Sequence, residues 1–410
     1  MPEFQMHTLP NGIRILHKQV LHTKIAHGGF TLDIGSRDEQ EDQQGLAHFW
    51  EHMAFKGTEK RKSFHILNRL ETVGGELNAY TTKEKICFYA SVLDKHFEKA
   101  FELLTDITFH SVFPEKEIEK ERGVILEEMA MYLDTPEDAI VDEFDAVIFQ
   151  NHQLGNNILG TRDSVSGFQK ADFRKFLDQN LSTDRLVFAS VSNLPFEKVV
   201  KLAEKYLANV PGRTLTRQRK QFNTYQPQAF TLEKAINQAH CVIGAPAYAL
   251  SDPKRIPFFM LSNILGGPGM NSRLNLAVRE KFGLVYTIDA SYTAYVDTGL
   301  FNIYFGTEKK QLNRTTDLVL KELKKLREKP LGSVQLHTAK EQLMGQLAMA
   351  EESNIGYMMM MGKSILDLNK VDSLNEIFDQ IRRTSAAELQ EIANHVLTET
   401  KLSFLNYVPV

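Results

Sequence analysis

His48-Phe49-Trp50-Glu51-His52, taken with Glu128 eighty residues later, is the part of this chain best suited to chemistry. In a helix, His48 and His52 fall four apart on one face, with Glu51 on the same side. Two neutral imidazoles and a distant carboxylate are ligands that a catalytic zinc takes, with a fourth position left for water. Glu51 then stands beside that water as general base. The order H-x-x-E-H inverts the commoner zinc motif H-E-x-x-H. An amphipathic helix with two surface histidines can carry the same residues, so the surroundings decide.

Around the motif, Leu46, Phe49, Trp50, Met53 and Ala54 are apolar. A helix this apolar is largely buried, and its His and Glu side chains need partners. A buried acid between two histidines is costly unless something positive binds there. Glu128 has its own context. Pro114 and the acids after it predict a helix from Pro114 to Met131, on which Ile118, Glu121, Ile125, Glu128 and Met129 form one stripe. Glu121 and Glu128 interrupt that apolar face, whereas Glu127 points elsewhere. A charged helix edge in an acidic stretch is the competing reading.

Chain length and composition set the frame. At 410 residues more than one domain is expected. An apolar fraction of 42% and a charged fraction of 24% are those of an ordinary globular protein. A net charge of −4 argues against nucleic acid as a partner. Cys87 and Cys241 are too few for a disulfide framework and are expected to be buried thiols. Residues 1–20 lack a continuous apolar core, so neither a secretory signal nor a membrane span is expected, and no Arg- and Ser-rich transit pattern is present. A cytoplasmic location is the resulting expectation.

The chain repeats internally. Phe168–Phe188 aligns with Thr384–Phe404 at a constant offset of 216, which brings Leu181, Leu186 and Phe188 onto Leu397, Leu402 and Phe404. Ser63, Glu71 and Gly74 fall on Ser272, Glu280 and Gly283 at an offset of 209. A repeat of this length means two similar domains rather than a solenoid. Thr8–Lys18, Gly28–Ile34, Glu84–Leu93 and Leu186–Ser192 read as strands. His65–Thr72, His96–His110 and Phe196–Ala208 read as helices. Strands and blocks of helix without strict alternation indicate an α+β fold, each domain a mainly antiparallel sheet with helices on one face. Residues 211–228 are polar, basic and aperiodic, which gives a first domain at 1–212, a linker at 213–228 and a second domain at 229–410.

At the zinc motif the chain resembles the pitrilysin, insulin-degrading enzyme and mitochondrial-processing-peptidase group of zinc peptidases, the inverzincins, in their half-length two-domain form. Gly35-Ser36-Arg37, the Phe-Lys-Gly-Thr ending at Thr58 and Leu77-Asn78-Ala79-Tyr80-Thr81 match as well, and the likeness covers almost the whole chain. The resemblance implies one zinc per chain held by His48, His52 and Glu128, Glu51 as base and Glu121 as a supporting acid. It also implies that Asn78, Ala79 and Tyr80 lie on an edge strand that receives substrate.

Shifting His48 and His52 into the second half lands on Pro257–Ile264, which holds no metal ligand. In its place comes Arg279-Glu280-Lys281-Phe282-Gly283-Leu284-Val285-Tyr286, similar to the family's R-E-x-x-G-L-x-Y. By that likeness Arg279 and Tyr286 bind the substrate backbone and help stabilise the oxyanion. Tyr357–Met361 reads as a Met-filled helix core, and Gly266-Gly267-Pro268-Gly269 as a flexible turn. The expectation is a zinc endopeptidase acting on peptides or unfolded protein segments. The family encloses substrate in a chamber of four such domains, so a homodimer follows. A non-catalytic or partner-dependent subunit is the alternative.

Overall fold

A computed structural model describes residues 4–216 and 219–410. The chain divides into two compact units, and neither is continuous in sequence. The first contains residues up to 129, 156–219 and 350–371; the second contains 130–155, 220–349 and 372–410. Relative to continuous halves at 1–212 and 229–410, two segments have changed sides. The expected linker 213–228 carries neither helix nor strand among its described residues; Arg217 and Gln218 lie outside them.

The first unit holds strands β1 (Gln5–Thr8), β2 (Arg14–Gln19), β3 (Ile25–Leu32), β4 (Glu76–Thr81), β5 (Ile86–Leu93) and β6 (Leu186–Ser192) in the order β1-β2-β6-β3-β5-β4. Among the described strands of this sheet, only β2 and β6 run parallel. The expected strand over Thr8–Lys18 is a hairpin. Gly12 takes a left-handed φ of +91° and donates to the Leu9 carbonyl, so Pro10-Asn11-Gly12 turns the chain.

The second unit holds β7 (Ala229–Lys234), β8 (Ala239–Ala247), β9 (Val285–Ala294), β10 (Gly299–Thr307) and β11 (Ser403–Pro409), ordered β7-β11-β8-β10-β9. Here β7 and β11 are the parallel pair. Leaving out β1, the two sheets have one topology, with β6 matching β11 and β4 matching β9. Both are α+β layers of mainly antiparallel strands, as the repeat predicts.

Each sheet has a helical layer on one face. In the second unit, helices Arg255–Gly266, Leu312–Glu328 and Ala386–Val396 bury Phe258, Leu261, Val319 and Ile392 with Ile243, Phe301 and Ile303 of the sheet. The first unit is built the same way, with Phe30, Phe88 and Phe188 meeting Phe101 and Trp50. A further helix covers the opposite face of each sheet. On the second sheet it is Pro136–Ile148, through Ile140, Phe144 and Val147 against Val242, Leu405 and Tyr407. On the first it is Asn354–Leu368, whose Tyr357, Met358 and Met361 pack on Leu16, Val187 and Ala189. The methionine run is a core element as read, seated on the sheet of the other half of the sequence. Cys87 and Cys241 are free and buried.

Candidate metal centre

The helix Leu46–Ala54 sinks Phe49, Trp50 and Met53 fully into the first unit's core. Trp50 meets the Phe88 ring at 5.6 Å and Phe49 meets Phe173 at 5.1 Å, contacts that fix the helix in rotation. Gly45 opens it with φ +93°, and an added Cβ would lie 2.5 Å from the Leu159 carbonyl oxygen, so the approach needs glycine. With no side chain at the cap, Glu39 does the capping from outside: it accepts from the Gly45 and Ala47 N–H groups at 3.0 and 2.7 Å. Burial pushes the Glu39 carboxyl up to about 8 against the pull of those two N–H bonds.

The orientation left over for the polar face brings His48, Glu51 and His52 together. The helix Glu115–Leu133 buries Ile118, Ile125 and Met129 along one stripe and carries Glu121 and Glu128 with them. His48 Nε2 lies 3.8 Å from Glu128 Oε2, and His52 Nε2 lies 3.7 Å from the same oxygen. These gaps are too long for good hydrogen bonds. They are close to the about 3.4 Å that separates two donors on one tetrahedral zinc. One atom from each of the three residues falls within 4.8 Å of the others, and they form the one such group among the described residues. Two imidazole nitrogens and one carboxylate oxygen therefore fit zinc in both type and spacing.

Protonation suits the same use. Burial, with a smaller push from His52, drives the His48 imidazole down to about 3, so it stays neutral and able to donate a lone pair. His52 turns Nδ1 to Glu121 Oε2 at 3.2 Å, which leaves Nε2 facing Glu128. Burial opposes ionisation of Glu121, but its bonds to His52 and Lys56 outweigh that and hold the carboxyl below the usual range. Lys56 Nζ sits 2.7 Å from Glu121 Oε1. His48 Nδ1 is buried without a hydrogen-bond partner among the described residues.

Glu51 sits beside this group. Burial raises its carboxyl above the usual range, against the hydrogen bond from Thr81 and the charge of His52. The Thr81 hydroxyl is 2.5 Å from Glu51 Oε2. Thr81 closes β4, which ends the sheet and pairs with β5 alone among the described strands. Asn78 is exposed there, and Ala79 and Tyr80 are half-buried. The hairpin after β4 is anchored by buried charges. Lys83 Nζ reaches the Asn156 carbonyl, Glu84 pairs with Arg37, and Lys85 pairs with Asp367.

Arg279 and Tyr286 belong to the second unit. Arg279 lies on a π-helical stretch, Asn275–Glu280, and its guanidinium carbon is 5.8 Å from the Tyr286 ring centroid. Tyr286 is 85% exposed at the start of β9, the edge strand matching β4. The pair borders an open cavity of about 330 Å³ that also meets Gly267, Gly269, Met270 and Asn275. The helix Arg255–Gly266, counterpart of the motif helix, points Phe258, Met260 and Leu261 into its core.

Sequence reading therefore found the groups that come together, and it missed three that hold them: Glu39, Lys56 and Thr81. Lys56 and Thr81 were inside matched motifs, but nothing local assigns their partners.

A family model described as "Insulinase (Peptidase family M16)" matches residues 14–162, and one described as "Peptidase M16 inactive domain" matches residues 167–343. An uncharacterized zinc protease of Bacillus subtilis is 32% identical over 395 residues, covering 96% of this chain and 95% of that protein. One from Streptomyces coelicolor is 32% identical over 95% of this chain and 86% of its own length. Among solved structures, a peptidase M16 inactive domain from Pseudomonas fluorescens superposes with TM-score 0.92 at 19% identity, over 99% of this chain and 98% of that one. A protease from Helicobacter pylori gives 0.89 at 19% identity over all of both chains. At that identity the structures speak for the fold.

Proposed function

Because the chain belongs to the insulinase (peptidase M16) family, we propose that it is a zinc endopeptidase for peptides or unfolded protein segments. The observation that carries this reading is the gathering of His48, His52 and Glu128 beside a half-buried Glu51. His48, His52 and Glu128 would hold one zinc ion, and Glu121 would fix the His52 tautomer. Zinc bound there supplies a Lewis acid that polarises a peptide carbonyl and brings the pKa of water near neutrality.

Glu51 takes a proton from the attacking water as the new C–O bond forms. It returns that proton to the amide nitrogen as the C–N bond breaks. Its raised affinity for a proton suits both halves of that exchange. Substrate lies extended along β4, at Asn78, Ala79 and Tyr80, and gains main-chain hydrogen bonds that are weakly selective for side chains. Arg279 and Tyr286 contribute a cation and a phenol donor for the substrate backbone and oxyanion.

Tyr286→Phe is expected to lose about 2–4 kcal/mol of transition-state stabilisation, as removal of one oxyanion donor does elsewhere. Zinc content should stay unchanged, since the tyrosine belongs to another unit than the proposed ligands. Steady-state kinetics on a peptide library with parallel metal analysis measures both. Wild-type rates in Tyr286→Phe and in Arg279→Ala remove this pair from the mechanism.

A chamber of four such domains needs two copies of a two-unit chain, and a two-fold homodimer is the simplest closure. Light scattering under active conditions is expected to report about twice the chain mass of 46.7 kDa. A stable monomer that cleaves peptides at full rate excludes that assembly.

A further inference from the structure

We infer that Thr81 is the positioning residue of the general base, and that through it the substrate-receiving strand sets the base's alignment. The inference rests on the peptidase reading and adds a residue to it. Thr81 Oγ1 donates to Glu51 Oε2 at 2.5 Å, and no other hydrogen bond to Glu51 is made among the described residues. Glu51 therefore has one oxygen engaged and one, Oε1, open to accept the proton of water. Without that tether the Glu51 side chain, with several free torsions, has no donor to select its rotamer.

The tether comes from a place with a second use. Thr81 is the last residue of β4, two residues beyond Ala79, on the strand whose outer edge pairs with no other described strand. Thr81 pairs with Ile86 across the hairpin, and that hairpin is pinned by the buried Lys83, Glu84 and Lys85 contacts. Lys85 is held twice, by Asp367 at 2.5 Å and Asp33 at 3.0 Å. The strand end is thus fixed to the body of the unit, and the Thr81 hydroxyl is a rigid reference point for the base. A peptide that docks on β4 is registered against the same backbone that aims Glu51. Substrate position and base position then share one frame, which is what a near-attack geometry requires.

The test compares Thr81→Val, which keeps the shape and removes the donor, with Thr81→Ser, which keeps the donor. In Thr81→Val, kcat is expected to fall about 10- to 100-fold, the range a misplaced catalytic group costs. KM and zinc affinity, the latter by chelator competition, stay within about twofold. Thr81→Ser recovers kcat to within about threefold of wild type. A reading without turnover accompanies the kinetics: affinity for a peptide hydroxamate, whose hydroxyl proton Glu51 accepts, drops at least about fivefold in the valine variant and recovers in the serine variant.

Wild-type kcat in Thr81→Val overturns the inference. So do equal losses in the valine and serine variants, or a loss that follows zinc or KM instead of kcat, because each marks a merely structural threonine. If zinc-loaded wild-type protein cleaves no peptide, the peptidase reading itself fails, and the hydroxamate comparison still decides the Thr81–Glu51 link.

Discussion

His48→Ala and Glu128→Gln proteins are expected to purify without zinc and to cleave nothing above background. Each substitution removes one of three groups whose donor atoms lie within 4.8 Å of one another, Glu128 Oε2 being 3.8 Å from His48 Nε2 and 3.7 Å from His52 Nε2. Two remaining donors form an incomplete site, so affinity should fall by more than the about 10- to 100-fold that loss of an outer partner costs. Elemental analysis after dialysis against a weak chelator gives the metal content, and a peptide assay gives the rate. Folding should survive, because the aromatic side chains of the motif helix, not its histidines, fill the core. Full zinc content in both variants would refute the ligand assignment. Wild-type protein that neither carries a divalent metal nor gains activity when zinc is added would refute the enzyme reading as a whole.

Glu51→Gln separates base from ligand. It should retain zinc at the wild-type level while turnover drops about 10²- to 10⁴-fold, the usual worth of a general base. Glutamine keeps the size of the side chain and can still accept from Thr81, but it takes up no proton. Binding should persist, so peptides caught by this variant in a cell extract, identified by mass spectrometry, would reveal the substrate class. Equal loss of metal and rate would make Glu51 a ligand instead.

The candidate site was legible because its residues are close in sequence within each of two helices. H-x-x-E-H fixes three side chains within one and a half turns of helix, and Glu121 and Glu128 announce themselves by breaking an apolar stripe. What was not legible depends on contacts between distant segments. Lys56 meets Glu121 from sixty-five residues away, and Thr81 meets Glu51 from thirty. Glu84 and Lys85, expected to open a strand at Glu84–Leu93, instead lie with Lys83 in the turn before β5, and all three are buried because Asn156, Arg37 and Asp367 arrive to receive them. The repeat predicted two sheets of like topology, which the strand orders bear out. The seats of the helices Pro136–Ile148 and Asn354–Leu368 could not be read the same way. An apolar stripe states that a helix is covered but does not name the sheet that covers it.

Those two helices occupy equivalent places in the repeat, and each rests on the sheet made by the other half. Suppose a one-sheet ancestor in which two identical chains traded that helix, each completing its neighbour. Joining such a pair end to end yields this connectivity directly, with no helix needing to move. The fusion would also free one copy of its catalytic duty. On that supposition the candidate ligands lie in the first half alone, and the second carries the apolar helix Arg255–Gly266 and the Arg279–Tyr286 pair in their place. Whatever its origin, the exchange ties the two halves of the sequence together, because each half completes the sheet packing of the other.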